Sequence, residues 1–280
     1  MIKAVQQFQL RTVIGTEEKA KNTLRLMKEA GYDGIELCGF MIKKMPLMVR
    51  ALTRMAGMPM GKSGNLDWKK LIDESGLKVV SVHEDLGSIL RAPEEIIEEA
   101  VGFHTSYVVV TGMHHFDYSD KQAVLELAEK LNEAGRLLKE GGIRFLYHNH
   151  NCELRKVGPG LTAYDLLLEK TNPEYVNFEF DSYWPTEAGV DALALMERLN
   201  TRMKLYHIND RGTRVNGKTG SILKSDSMEL GYGNMNLTAR VECARKYGAE
   251  AVILESHKNW VEKSPVKSFQ LSAEFMNRYV

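Results

Sequence analysis

The chain lacks the features that mark several function classes. It has 3 cysteines in 280 residues (Cys38, Cys152 and Cys243), an odd number with no CxxC pair. That excludes a secreted disulfide scaffold and favours a reducing compartment, so the cytoplasm is the expected location. Neither charge is in excess, since 37 Lys+Arg stand against 37 Asp+Glu. Such a balance supplies no long-range field for a polyanion, and neither nucleic acid nor a membrane surface is an expected partner. No run approaches the roughly 18 apolar residues of a membrane span, and the start MIKAVQQFQL has no apolar stretch of the signal-peptide kind. No Pro- or Gly-rich linker divides the chain, so one domain over residues 1–280 is expected. Nucleotide fingerprints are missing too. Gly57-Met58-Pro59-Met60-Gly61-Lys62-Ser63 imitates a P-loop, but one residue is lacking between its glycines, and Pro59 removes a backbone donor. No GxGxxG follows the first strand, and no cofactor-binding residues of that kind are assigned.

What is present is alternation. Apolar, β-rich runs at Val5–Leu10, Gly34–Phe40, Lys78–Asp85, Ser106–Gly112, Ile143–His150, Val176–Tyr183, Lys204–Asp210 and Ala251–His257 are separated by segments of helical period. The helical patterns are Glu17–Ala30, Pro93–Phe103, Lys121–Glu140, Tyr164–Thr171, Ala192–Leu199 and Leu237–Tyr247. Eight such units predict an α/β fold, a closed (β/α)8 TIM barrel, with an open doubly wound sheet as the alternative. Glycine at 31, 76, 142 and 248 closes a helix just before a strand. Residues 41–66 and 211–235 are too long for plain connections and are expected as loop insertions at the carboxyl-terminal face of the strands. The first holds Met41, Met45, Met48, Met55, Met58 and Met60, which suits local packing over the barrel mouth.

Barrel enzymes place their chemistry at strand carboxyl ends, on the inward-facing alternate residues. Here those ends read Tyr147-His148-Asn149-His150, Glu179-Phe180-Asp181, Tyr206-His207-Ile208 and Leu254-Glu255. Inward-facing Asp181, His207 and Glu255 leave Phe180, Tyr206, Ile208 and Leu254 to face the helices, and His148 shares its parity with His150. Glu179 shares the parity of Asp181 and reads equally well as a buried, hydrogen-bonded support. A lone strand-end histidine is more often structural. Ionisable residues at four consecutive strand ends are harder to explain that way, because each needs a buried partner. Imidazoles and carboxylates together suit one divalent Mn, Zn, Co, Fe or Mg ion.

The motifs GYDGIEL (31–37), YHNHNCEL (147–154), FEFDSYW (178–184), LYHIND (205–210), ELGYGNMN (229–236) and VILES (252–256) occur in an order that resembles the xylose-isomerase-like barrel superfamily. That superfamily includes tagatose epimerases, inosose dehydratases and dehydroshikimate dehydratases. The resemblance implies one metal, with Asp181, His207 and Glu255 as ligands from strands six to eight. Most relatives carry a glutamate at the end of strand five, where this chain has His148. Either His148 or Glu153 is then expected as the fourth ligand, with the other and His150 beside the substrate. Glu255 with His150 or Glu153 are the acid–base candidates, Trp184 a wall for the sugar C–H face, and Glu36 and His83 pocket-lining residues.

The implied activity is sugar or polyol isomerisation or epimerisation by proton transfer through an enediolate. The alternative is dehydration or β-elimination on a keto-sugar, inosose or 3-keto-glycoside, and a further one is a non-catalytic sugar-binding barrel subunit. Metal-dependent apurinic endonucleases share the barrel but need a histidine where this chain has Trp184. The expected partner is a small-molecule sugar or polyol, with self-association as a homo-oligomer left open.

Overall fold

The computed structural model describes residues 1–44, 63–113, 115–214, 220 and 222–280. Met45, Met48, Met55, Met58, Met60 and the P-loop imitation up to Lys62 lie outside the described residues. The barrel strands are β1 (Ile2–Gln6), β2 (Gly34–Cys38), β3 (Lys78–His83), β4 (Tyr107–Thr111), β5 (Arg144–His148), β6 (Val176–Asp181), β7 (Met203–Ile208) and β8 (Ala251–Leu254). They form a closed barrel in sequence order, as the alternating pattern predicts. The main helices are α1 (Glu17–Ala30), α2 (Trp68–Ser75), α3 (Pro93–Gly102), α4 (Lys121–Glu140), α5 (Ala163–Lys170), α6 (Ala192–Leu199), α7 (Leu237–Lys246) and α8 (Pro265–Tyr279). Among the described residues no helix is long and apolar enough to cross a membrane.

Local chemistry explains the boundaries. Thr16 accepts the Lys19 N–H at the start of α1 and Asp120 does the same for Gln122 and Ala123 at the start of α4, each satisfying orphan donors. Helix α1 stops at Gly31, whose φ of 97° lies in the left-handed region that a side chain resists. The first strand is a correction. It spans Ile2–Gln6, not Val5–Leu10, because Gln7–Leu10 winds into a 3-10 turn. The Gln6 side chain caps that turn by accepting the Phe8 N–H at 2.7 Å.

Contacts group the chain into two compact units. One comprises Met1, Ser81–Ile208 and Ala239–Val252. Its core holds the fully buried Phe178 in contact with Tyr147 and Tyr164 (ring centroids 6.4 and 5.9 Å), so this face of β5 and β6 packs toward α5. Burying each such ring contributes roughly 2 kcal/mol. The other unit comprises Ile2–Val80, Asn209–Thr238 and Ile253–Val280. There Tyr32 stacks edge-on against Phe269 at 6.0 Å and donates to its carbonyl at 2.8 Å, fastening α8 beside α1. A short antiparallel pair, Asp210–Gly212 with Asp226–Met228, folds back the described part of the second insertion.

Candidate metal centre

Alternation on β6 sends Phe178 and Phe180 one way and Glu179 and Asp181 the other. Parallel register sets His148 of β5 beside Glu179, and His207 of β7 beside Asp181. Glu179 is the hub. Its Oε2 lies 3.0 Å from His83 Nε2, 3.0 Å from His148 Nδ1 and 3.1 Å from His207 Nε2. The imidazoles crowd around it, with the His148 and His207 ring centroids 4.6 Å apart. His83 is held from its other side by Thr111 Oγ1 at 2.9 Å. Burial pushes the Glu179 carboxyl upward, but His207, His83 and His148 outweigh it and hold the group well below the usual carboxylate range. The second oxygen, Oε1, is buried without a hydrogen-bond partner among the described residues.

Asp181 sits beside this cluster and is fixed by backbone. Asn149, a buried residue that the sequence did not single out, donates to Asp181 O at 3.0 Å and accepts the Asp181 N–H at 3.0 Å, tying the end of β5 to the end of β6. The Tyr183 N–H donates to Asp181 Oδ1 at 2.6 Å. Ligand atoms of His148, Asp181 and His207 all lie within 4.8 Å of one another, as do those of His83, His148, Glu179 and His207. Buried imidazole nitrogens mixed with carboxylate oxygens are the donors that zinc, manganese, cobalt or iron take. The residues present fit a divalent metal.

His148 and Glu153 lie in different surroundings. His148 belongs to the cluster around Glu179. Glu153 is fully buried among other partners: Tyr147 OH donates to Oε1 at 2.8 Å, while the His150 N–H and Cys152 Sγ approach Oε2 at 3.0 and 3.3 Å. Tyr118 OH lies 2.9 Å from Tyr147 OH and accepts the Met113 N–H at 2.7 Å. A side chain at Gly112 would bring Cβ to 2.5 Å from Glu153 Oε1, so the carboxylate needs glycine there. Burial, and then Glu153, push the Cys152 thiol up to about 12.

His150 is half-buried and stands edge-on to Trp184 (5.3 Å between centroids), which the short helix Tyr183–Glu187 carries. In the other unit Glu36 is buried and accepts from Gln6 Nε2 at 2.9 Å. Glu255, directly after β8, has His257 Nε2 2.8 Å from its Oε1.

Relatives share this architecture. Inosose dehydratase of Mesomycoplasma hyopneumoniae (strain 7448) is 32% identical over 103 residues, 35% of this chain and 32% of that protein. The chain thus spans about a third of the length of this curated relative. A solved sugar phosphate isomerase/epimerase from Parabacteroides distasonis superposes with a TM-score of 0.73 at 23% identity, covering 98% of this chain and 93% of that one. The zinc-bound IolI protein superposes with a TM-score of 0.70 at 13% identity, covering 100% and 99%. At these identities the structural likeness speaks for the fold. Residues 24–279 match the family described as the xylose isomerase-like TIM barrel, and the chain belongs to that family.

Proposed function

We propose that this chain is a metal-dependent enzyme that removes water from a polyhydroxylated ketone of the inosose or keto-sugar class. The observation that carries the reading is the convergence of His83, His148 and His207 on Glu179 with Asp181 alongside. His148, Asp181 and His207 would hold one divalent ion, with Glu255 of the last strand as the fourth ligand on the strength of the family resemblance. When bound, the ion supplies Lewis acidity toward adjacent substrate oxygens.

The remaining work falls to side chains. Glu179 keeps the three imidazoles oriented, and Asn149 keeps Asp181 in place. Glu255 is the base that takes the carbon-bound proton next to the carbonyl, and His150 the acid that protonates the departing β-hydroxyl, which leaves as water. Trp184 offers an apolar face to the ring carbons. Glu153 holds the backbone of the loop that carries His150.

Dehydration is preferred because the curated relative is an inosose dehydratase. Epimerisation is the second reading, favoured by the likeness to the Parabacteroides sugar phosphate isomerase/epimerase. There the proton returns to the opposite face and no bond to oxygen breaks.

The test is a panel of inososes, ketohexoses and 3-keto-glycosides incubated with metal-loaded protein in deuterated water and read by NMR. An unsaturated ketone supports dehydration, and deuterium at an inverted carbon supports epimerisation. Glu255→Gln should stop both and release metal. A purified chain that takes up no Mn, Co or Zn ends the proposal, and one that binds sugar without any exchange is a binding subunit.

A further inference from the structure

Where the first strand gives way to the 3-10 turn the chain reads Gln6-Gln7-Phe8-Gln9, and the acid–base chemistry leaves its three side-chain amides unused. Gln7 and Gln9 are completely buried, and Gln6 nearly so. Gln6 uses both ends of its amide, donating to Glu36 Oε2 at 2.9 Å and accepting the Phe8 N–H at 2.7 Å. The other two are half-satisfied. Gln7 Oε1 accepts the Cys38 N–H at 2.9 Å, and Gln9 Oε1 accepts the Ser256 N–H at 2.9 Å. A backbone N–H only donates, so neither amide can be turned over without setting one donor against another. Each Nε2 is therefore fixed as a donor, and neither has an acceptor among the described residues. Native folds rarely bury a donor in that state unless something else accepts from it. Cys38 closes β2 and Ser256 follows β8, so the two bonds lock these side chains at strand carboxyl ends, where barrels build their sites.

We propose that Gln7 and Gln9 are substrate-binding residues whose Nε2 groups donate to hydroxyl or carbonyl oxygens of a neutral polyhydroxylated ligand. The function proposed above enters only through the choice of that ligand class. Two uncharged donors held by backbone select oxygens by position. A ligand lacking the matching hydroxyl leaves a buried donor unpaired again, which is how such sites reject deoxy analogues.

The test uses the full, metal-loaded chain, titrated calorimetrically with myo-inositol, an inosose and their deoxy analogues. Gln7→Glu and Gln9→Glu keep the acceptor for the backbone N–H and remove the donor. Gln7→Met and Gln9→Met form a second set in case the carboxylates disturb folding. Each substitution should raise Kd and KM roughly threefold to tenfold, the loss of one neutral hydrogen bond. Neither kcat nor metal content should change materially. The deoxy analogue missing the matched hydroxyl should lose nothing further. In the wild type, the side-chain NH2 resonances of Gln7 and Gln9 should move on titration, a readout that depends on no variant. Unchanged Kd in all four variants, or resonances that stay still while ligand binds, overturns the inference and leaves these amides structural. If no polyol binds the wild type, the inference and the proposed function both fall. Binding that the substitutions weaken, without turnover, supports the inference and overturns the function alone.

Discussion

Glu179→Gln removes a charge from the point where three imidazoles meet while keeping the size of the side chain. In the native chain a single carboxylate oxygen takes nitrogens from His83, His148 and His207 at 3.0, 3.0 and 3.1 Å. Hydrogen bonds to a charged acceptor contribute about 1.5–3 kcal/mol each, against about 0.5–1.5 for neutral pairs, so three bonds lose roughly 3 kcal/mol. Neutralising a fully buried carboxylate returns several kcal/mol of desolvation cost. The metal-free variant should consequently unfold within a few degrees of the wild type. Metal affinity has no such compensation, because the imidazoles lose the group that orients them. A fall of about 10- to 100-fold is expected, equivalent to about 1.4–2.7 kcal/mol. Competition for zinc against a chelator of known affinity measures this, with circular dichroism of both proteins as the control. Zinc affinity within about twofold of wild type, in a normally folded variant, would refute the reasoning and show that the histidines orient themselves.

Four further outcomes follow. Tyr147→Phe deletes a donor to the buried Glu153 carboxylate and should lower stability by about 1–3 kcal/mol in urea unfolding. Cys152 should alkylate slowly at pH 8 in the wild type, since burial and Glu153 push its thiol up to about 12, and faster in Glu153→Gln. Gly233→Ala would put Cβ 2.3 Å from Asp210 Oδ1 and 2.6 Å from Arg211 O. It should break the cage in which Asp210 accepts the N–H groups of Gly231, Gly233 and Met235, and limited proteolysis should then cut within 211–235. Burial raises the Glu250 carboxyl, but hydrogen bonds from Arg144 and Tyr107 outweigh it and hold the group below its ordinary value. A depressed acid stabilises the fold above its unfolded pKa, about 4.3, and that contribution fades as pH falls through the folded value. The urea midpoint should drop on acidification from pH 5 to 3, and less so in Glu250→Gln; parallel curves would discount the Arg144 pair.

Alternating strand and helix patterns, with glycine closing helices, were enough to read the barrel from the chain. Helices Glu17–Ala30, Lys121–Glu140 and Ala192–Leu199 end where the period and caps of the sequence end, because capping and a 3.6-residue repeat are settled between near neighbours. Strand parity likewise put Glu179 and Asp181 on one face. The first strand departs from the pattern because Phe8 and Leu10 alternate with glutamines as strand residues do, while one side-chain bond to Gln6 winds residues 7–10 into a turn. Spacing could not separate His148 from Glu153, five residues apart. Only the fold sets a tyrosine hydroxyl against the second and a carboxylate from the next strand against the first. Nor could it show which side chains Glu179 supports, since His83 and Glu179 meet across 96 residues of chain. Periodicity and capping are local and are written into the chain. The partner of a buried charge is decided by closure of the sheet, which brings distant strand ends within 3 Å and leaves each polar atom to find its complement there.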